Sequence, residues 1–152
     1  MSIKDNDNSE KLLKVLNELF SKKITVGVHG DVGGDIFDRA TWNEFGTHYK
    51  EGDKKGQIRI PERSFIRAGY DANKNKIKKD TEKLTKKVVA MELKPSIAAK
   101  LLGDTTKGYI QEFAVDLRDP PNAQATIDAK GSSNPLVDTG QMIGSIDYKV
   151  KG

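Results

Sequence analysis

"PLVDTGQMIGSIDYKV" occupies residues 135–150 and admits two opposed readings. Leu136, Val137, Asp138, Thr139 and Gly140 match the catalytic turn of an aspartic protease: two apolar residues, a carboxylate, then Thr-Gly. That chemistry needs two carboxylates sharing one proton at close range. A single copy of the turn reaches a second carboxylate only in a symmetric dimer, and most of the protease fold must follow the turn to build cleft and flap. Twelve residues follow Gly140, so the hydrolase reading is set aside. The structural reading accounts for more of the stretch. Asp138 is expected to act as a helix N-cap, with Gln141 three residues on completing a capping-box-like pair. Met142, Ile143 and Ile146 then form a short amphipathic turn. Ile146, Tyr148 and Val150 alternate with Asp147, Lys149 and Lys151, the pattern of a half-buried strand. Asp138, Thr139 and Gly140 are therefore read as a structural turn leading into a short helix and a last strand.

The rest of the chain supplies partners for that strand. Residues 1–8 are polar and expected to be disordered, leaving one domain over 9–152. Ser9 can cap a helix over 10–22, where Leu12, Leu13, Leu16, Leu19 and Phe20 recur at helical spacing. "ITVGVHG" (24–30) alternates as a strand, and "DVGGD" (31–35) is a turn without the Gly-Lys-Ser/Thr of a phosphate loop. A helix over 35–47 buries Ile36, Phe37, Ala40, Trp42 and Phe45, with Gly46 as its C-cap. The polar, Gly-containing stretch 48–57 reads as a mobile loop. A strand at 58–60 stops at Pro61. The longest helical pattern covers 71–93, with a narrow seam of Ile77, Thr81, Leu84, Val88 and Met91. Pro95 breaks it, and a further helix over 96–117 buries Ala98, Leu102, Tyr109 and Phe113. Residues 118–135 form a loop with one helical turn at 123–129. The sum is an α+β fold: a small, mostly antiparallel sheet from the strands near 24–29, 58–60 and 146–150. An N-terminal helix and two long helices pack it, with an extended loop at 48–57.

Composition narrows the function. The chain of 152 residues is 36% apolar and 32% charged, and no apolar run reaches the length of a membrane span. The N-terminal "MSIKDNDNSE" lacks the apolar core of a signal peptide. With no cysteine, disulfides, thiol catalysis and Cys-based metal sites are excluded. Net charge is +4 but uneven. Residues 1–60 are neutral overall, residues 61–100 carry +6, and residues 101–152 carry −2. The excess lies on the 71–93 helix, where Lys74, Lys76, Lys78, Lys79, Lys83, Lys86 and Lys87 surround the seam. They form either a solvated face or a contact for a negative partner. Phosphate contacts would be sequence-independent and salt-sensitive. No aromatic residues interleave with the lysines, so base stacking is not indicated.

Few side chains suggest a chemical site. Glu44 and His48 stand four apart, as metal ligands on one helix face do, but no third ligand accompanies them and Gly46 interrupts the helix. The two histidines, His29 and His48, are not placed beside any serine or threonine that could serve as a nucleophile. Trp42, Phe45 and Phe65 are expected in the core, with Tyr70 and Tyr109 as possible interface anchors that are buried by default. No cofactor or metal site is read.

Two stretches together resemble a known family. "ATWNEFGTHYKEGDKKGQIRIPERSFIRAGYD" (40–71) is similar to a segment of the tail-completion, or neck, proteins of tailed bacteriophages, related to minor tail protein Z and the virion-morphogenesis group. "PPNAQATIDAKGSSNPLVDTGQMIGSIDYKV" (120–150) is similar to the ending of those proteins. The match rests on Asn43, Glu44, Phe45, Gly46, Pro61, Arg63, Phe65 and Arg67 in the first stretch. In the second it rests on Pro120, Pro121, Thr126, Ile127, Lys130, Gly131, Pro135, Leu136, Asp138, Thr139, Gly140, Ser145, Ile146 and Tyr148. Ser64 stands where the family often has proline, and Ala123-Gln124 where it often has Ser-Pro. The resemblance implies a non-enzymatic structural protein of the virion, assembled in the bacterial host cytoplasm. It implies a ring, a hexamer or alternatively a dodecamer, at the head–tail neck. Its partners would be connector and tail-terminator or tail-tube proteins, with packaged DNA passing through the lumen. The implied contacts are Lys74, Lys78, Lys79, Lys83, Lys86 and Lys87 on the helix, and His48, Tyr49, Lys50, Lys54 and Lys55 on the loop. A different class remains open, a small basic nucleic-acid-binding accessory protein.

Overall fold

The computed structural model describes residues 3–122, 127–129, 131, 136 and 140–152, with side chains from residue 8 onward. The fold is α+β. In chain order the elements are α1 (Ile3–Ser21), β1 (Lys23–Val28), a 3-10 turn (Gly30–Val32), α2 (Gly34–Phe45), β2 (Thr47–His48) and β3 (Ile58–Ile60). There follow α3 (Phe65–Val89), α4 (Pro95–Asp116), α5 (Gln141–Gly144) and β4 (Ile146–Lys151). The long helices α3 and α4 pack against the small sheet. Two compact units share the chain. Unit 1 is Met1–Val26, Lys74–Thr106 and Tyr148–Gly152; unit 2 is Gly27–Asn73 and Lys107–Asp147.

The expected three-stranded sheet is instead two separate ladders, β1 with β4 and β2 with β3. Lys22 Nζ donates to the Gly152 carbonyl and Thr25 Oγ1 to the Lys149 carbonyl. The partners descend as the donors ascend, so β1 and β4 run antiparallel. The strand at 58–60 pairs with β2 rather than with the terminal strands, as Thr47↔Ile60 and His48↔Ile58 across a bulge. Residues 48–57 therefore close a hairpin, where the sequence suggests an open loop. Its tip is tied by Tyr49 N to the Gln57 carbonyl at 3.0 Å and Gly56 N to the Tyr49 carbonyl at 2.9 Å.

Helix boundaries differ where local signals were weaker than tertiary ones. Helix α1 begins at Ile3, so residues 3–8 are helical where a disordered tail was expected; the segment holds no Pro or Gly to stop a helix. Helix α3 begins at Phe65 rather than 71, for a reason given below, and ends at Val89 rather than 93. The end is a Schellman motif. Glu92 N bonds the Lys87 carbonyl and Met91 N the Val88 carbonyl, both at 2.9 Å. Met91 takes the left-handed position with φ 59, one that glycine usually fills. It thus leaves the expected seam and stands 48% exposed, while Val88 is fully buried. Helix α5 has Gly140 as its N-cap, with no side-chain cap. The cap expected at Asp138 is thus two residues displaced, and Asp138 and Thr139 themselves lie outside the described residues.

In unit 1 the buried apolar residues are Val88, Ala98 and Ala99. Gly103 lets α4 meet Tyr148 of β4 closely, since a Cβ there would lie 2.4 Å from the ring's Cδ2. In unit 2, Phe65, Ile110 and Ile146 are the largest fully buried side chains. Gln111 Nε2 donates to the carbonyls of Ile143 and Ile146, each at 3.2 Å, which ties the α5–β4 junction to α4. Trp42 and Phe45, expected in the core, are 44% and 61% exposed. Helix α2 turns Ala40 and Glu44 inward instead. On α4 the buried positions Ala99, Gly103, Thr106, Ile110 and Ala114 replace the expected Leu102, Tyr109 and Phe113, which are half-buried. Small residues at these positions allow close approach of neighbouring backbone.

A matched pair of glycines in α4 tests this packing. Gly108 has open space where a Cβ would stand, so Gly108→Ala should stabilise the chain by about 1 kcal/mol through helix propensity. Gly103→Ala gains the same propensity but overpacks against Tyr148. It should come out net destabilising by about 1–2 kcal/mol in thermal or urea unfolding.

Candidate functional site

The most elaborate side-chain chemistry lies in unit 2, where α2, the end of the hairpin and the start of α3 meet. A helix N-terminus leaves its first N–H groups without intrahelical acceptors. At α3 that need is met from 20 residues away. Glu44, only 4% exposed, accepts from Ile66 N at 2.9 Å through Oε2 and from Arg67 N at 3.1 Å through Oε1. Oε1 also accepts the Ser64 hydroxyl at 3.0 Å and Arg67 Nε at 2.9 Å. Its negative charge sits at the positive end of the helix dipole. Arg67 closes the other side. Its Nη2 donates to the Glu44 carbonyl at 2.9 Å and to Glu62 Oε1 at 2.8 Å, and its guanidinium stacks 4.8 Å from the centre of the Phe45 ring. The hydrogen bond to Glu44 is the main reason the Arg67 pKa is raised above its ordinary value.

Arg63 makes the second half of this latch. It is 6% exposed, and its acceptors are carbonyl oxygens. Nε donates to the Pro120 carbonyl at 2.8 Å, and Nη2 to the Pro121 carbonyl at 3.0 Å and Asn122 Oδ1 at 3.3 Å. Its backbone N–H bonds the Asn43 carbonyl. Burial lowers its pKa. Between the two arginines' partners runs the turn at Gly46, with φ 69. A Cβ there would stand 2.9 Å from Glu62 N and 3.1 Å from the Ile60 carbonyl, so only glycine fits. A groove of about 250 Å³ opens beside the latch between Val28, Phe37, Ala40, Phe45 and Ile66.

This arrangement is a structural clamp. Both Glu44 oxygens are occupied as acceptors, and His48 lies on the exposed strand β2, so the pair is not a metal site. Among the described residues no group of three His, Cys, Asp or Glu is placed to hold a metal ion. No helix among them is long and apolar enough to cross a membrane.

The residues singled out as contacts stand elsewhere. Lys74, Lys78, Lys79, Lys83, Lys86 and Lys87 are all exposed on the unit 1 part of α3, and among the described residues no ion pair engages them. Lys86 and Lys87 fall in the last turn, where cations suit the helix dipole. His48, Tyr49, Lys50, Lys54 and Lys55 line the exposed hairpin. Lys54 and Arg59 approach the face of Tyr49, at 5.8 and 6.0 Å from the ring centre. Of the structural turn, Gly140 has φ 73. Residue-level reading singled out none of Arg63, Arg67 and Gln111 for chemistry, because their partners are carbonyls and carboxylates distant in sequence. Comparisons of the chain with known protein families, with characterised proteins and with solved structures found no match.

The clamp predicts a graded response. Glu44→Ala strands two helix N–H groups and removes the acceptor of Arg67 Nε, and should cost about 2–4 kcal/mol in urea unfolding. Glu44→Gln retains an acceptor oxygen and should cost less than half as much. Equal losses for both would mean that the negative charge of the carboxylate, not an acceptor oxygen alone, holds the junction.

Proposed function

We propose that this chain is a structural protein of the tailed-phage virion, forming a ring at the neck that completes the tail or joins it to the head connector. One observation supports the reading above others. Several of the positions that carry the resemblance meet in one hydrogen-bonded network. Asn43, Glu44, Gly46, Arg63 and Arg67 come from the first stretch, and Pro120 and Pro121 from the second. In this chain those positions hold the fold together, which is what positions that carry a resemblance are expected to do. In this proposal the protein is non-enzymatic, is assembled in the host cytoplasm and works as a homo-oligomer, a hexamer or alternatively a dodecamer. Its neighbours are the connector and the tail-terminator or tail-tube proteins, and DNA passes through the lumen without sequence-specific contact.

The exposed lysines of α3 favour a second reading, a basic nucleic-acid-binding accessory protein. The two readings separate in solution. Negative-stain images of the purified protein should show rings, and an antibody to the chain should label the head–tail junction of intact virions. A protein that stays monomeric at every concentration and binds duplex DNA with a steep salt slope would establish the second reading instead.

A further inference from the structure

The fold sorts charge far more sharply than the sequence order does. Unit 1 holds sixteen Lys and Arg against eight Asp and Glu, a net charge of +8; unit 2 holds ten against fourteen, a net charge of −4. Each unit shows one row in which the excess is concentrated. On α3, Lys79, Lys83 and Lys86 follow one another at i, i+4 and i+7, all exposed. Glu112 and Asp116 stand four apart in the last turns of α4, Asp119 follows three residues beyond the helix end, and all three are exposed. Among the described residues none of the six has an ion-pair partner.

Neither row is at its best in an isolated chain. Lys79 and Lys83 are like charges four apart on a helix, as are Glu112 and Asp116, and such pairs repel. The acidic row has a further penalty. It sits at the C-terminal end of α4, whose last turn holds no basic residue, where the helix dipole disfavours carboxylates. Val115, 45% exposed, lies between Glu112 and Asp116 on the same face and gives the row an apolar centre. Two clusters of opposite sign, on different units of one chain, form a heterologous pair of surfaces. Such surfaces join copies head to tail and close into a ring when the rotation allows.

We propose that the Lys79–Lys83–Lys86 row of one copy docks on the Glu112–Asp116–Asp119 row of the next. The inference rests on the ring reading above and names the contact that builds the ring. Complementary rows set register and speed association, and they weaken with salt.

The test is charge exchange on the full chain, with assembly read by light scattering and folding by circular dichroism. Wild type should assemble at low salt and weaken by roughly tenfold or more at high salt. The variant Lys79→Glu/Lys83→Glu/Lys86→Glu and the variant Glu112→Lys/Asp116→Lys/Asp119→Lys should each remain as single folded subunits. An equimolar mixture of the two, or one chain carrying all six changes, should assemble again. Should the glutamate variant unfold, a Lys→Gln triple must still lose assembly. Assembly unaffected by either triple, or lost in each without recovery on mixing, overturns this contact and leaves the ring reading standing. Wild type that is monomeric at every salt and concentration overturns the ring reading and the contact together.

Discussion

A carboxylate taken out of water is costly unless its lone pairs find donors. Glu44 finds four, and all come from residues 64–67. The arrangement explains why α3 starts where it does. Ser64 occupies the N-cap position and would ordinarily turn its hydroxyl onto the first helical turn. Here that hydroxyl donates to Glu44, and Glu44 takes over the capping of Ile66 and Arg67. A cap supplied from another element makes the local cap dispensable, so that a residue without a capping side chain would be tolerated at Ser64. Helix, strand end and turn are thereby joined at one point, and the tight turn at Gly46 is what lets the chain return to it.

Much of the fold was legible in local pattern. The period-two alternation of 146–150, the strands at 24–28 and 58–60, and the bodies of the long helices appear where apolar spacing placed them, with helix ends shifted by several residues. What failed was pairing and facing. Nothing local tells Ile58–Ile60 that its partner is Thr47–His48, because a two-residue strand leaves no alternation to read. On α2 the hydrophobic pattern pointed Trp42 and Phe45 inward, while the residue actually buried beside Ala40 is charged. Apolar spacing cannot foresee an inward face organised by an ionised group whose donors lie 20 residues downstream. The same blindness hid Arg63, which is satisfied by the carbonyls of Pro120 and Pro121. In the sequence those prolines read only as part of a loop, without a role. On α4, alanine and glycine carry the close contacts, and a scan for large apolar residues passes over them.

The lysine helix shows how a sequence-local charge count can mislead. The segment 61–100 carries +6, but it includes Arg63 and Arg67, whose donors are engaged in the clamp. Without them the segment's excess lies on lysines from residue 74 onward, all in unit 1. The acidic balance of unit 2 was likewise diluted in the sequence, because its carboxylates come from two segments separated by the whole lysine helix. Folding brings each set together, so that each unit carries a clear excess of one sign although the sequence blocks look only mildly biased.

That polarity bears on what the lysines are for. If they served DNA alone, a basic face would suffice and the rest of the surface could carry any charge. An acidic cluster at the end of α4, set against its own helix dipole, has no role in that scheme. It would have one in the self-assembly proposed above, where the same chain must present both halves of a contact. The stability each isolated row forgoes is small, on the order of a few tenths of a kcal/mol per like-charged pair. The gain is specificity, since a copy approaching in the wrong orientation meets lysine with lysine or carboxylate with carboxylate, which is unfavourable. Head-to-tail order is then favoured over the symmetric pairing that a uniformly basic surface could not discriminate against.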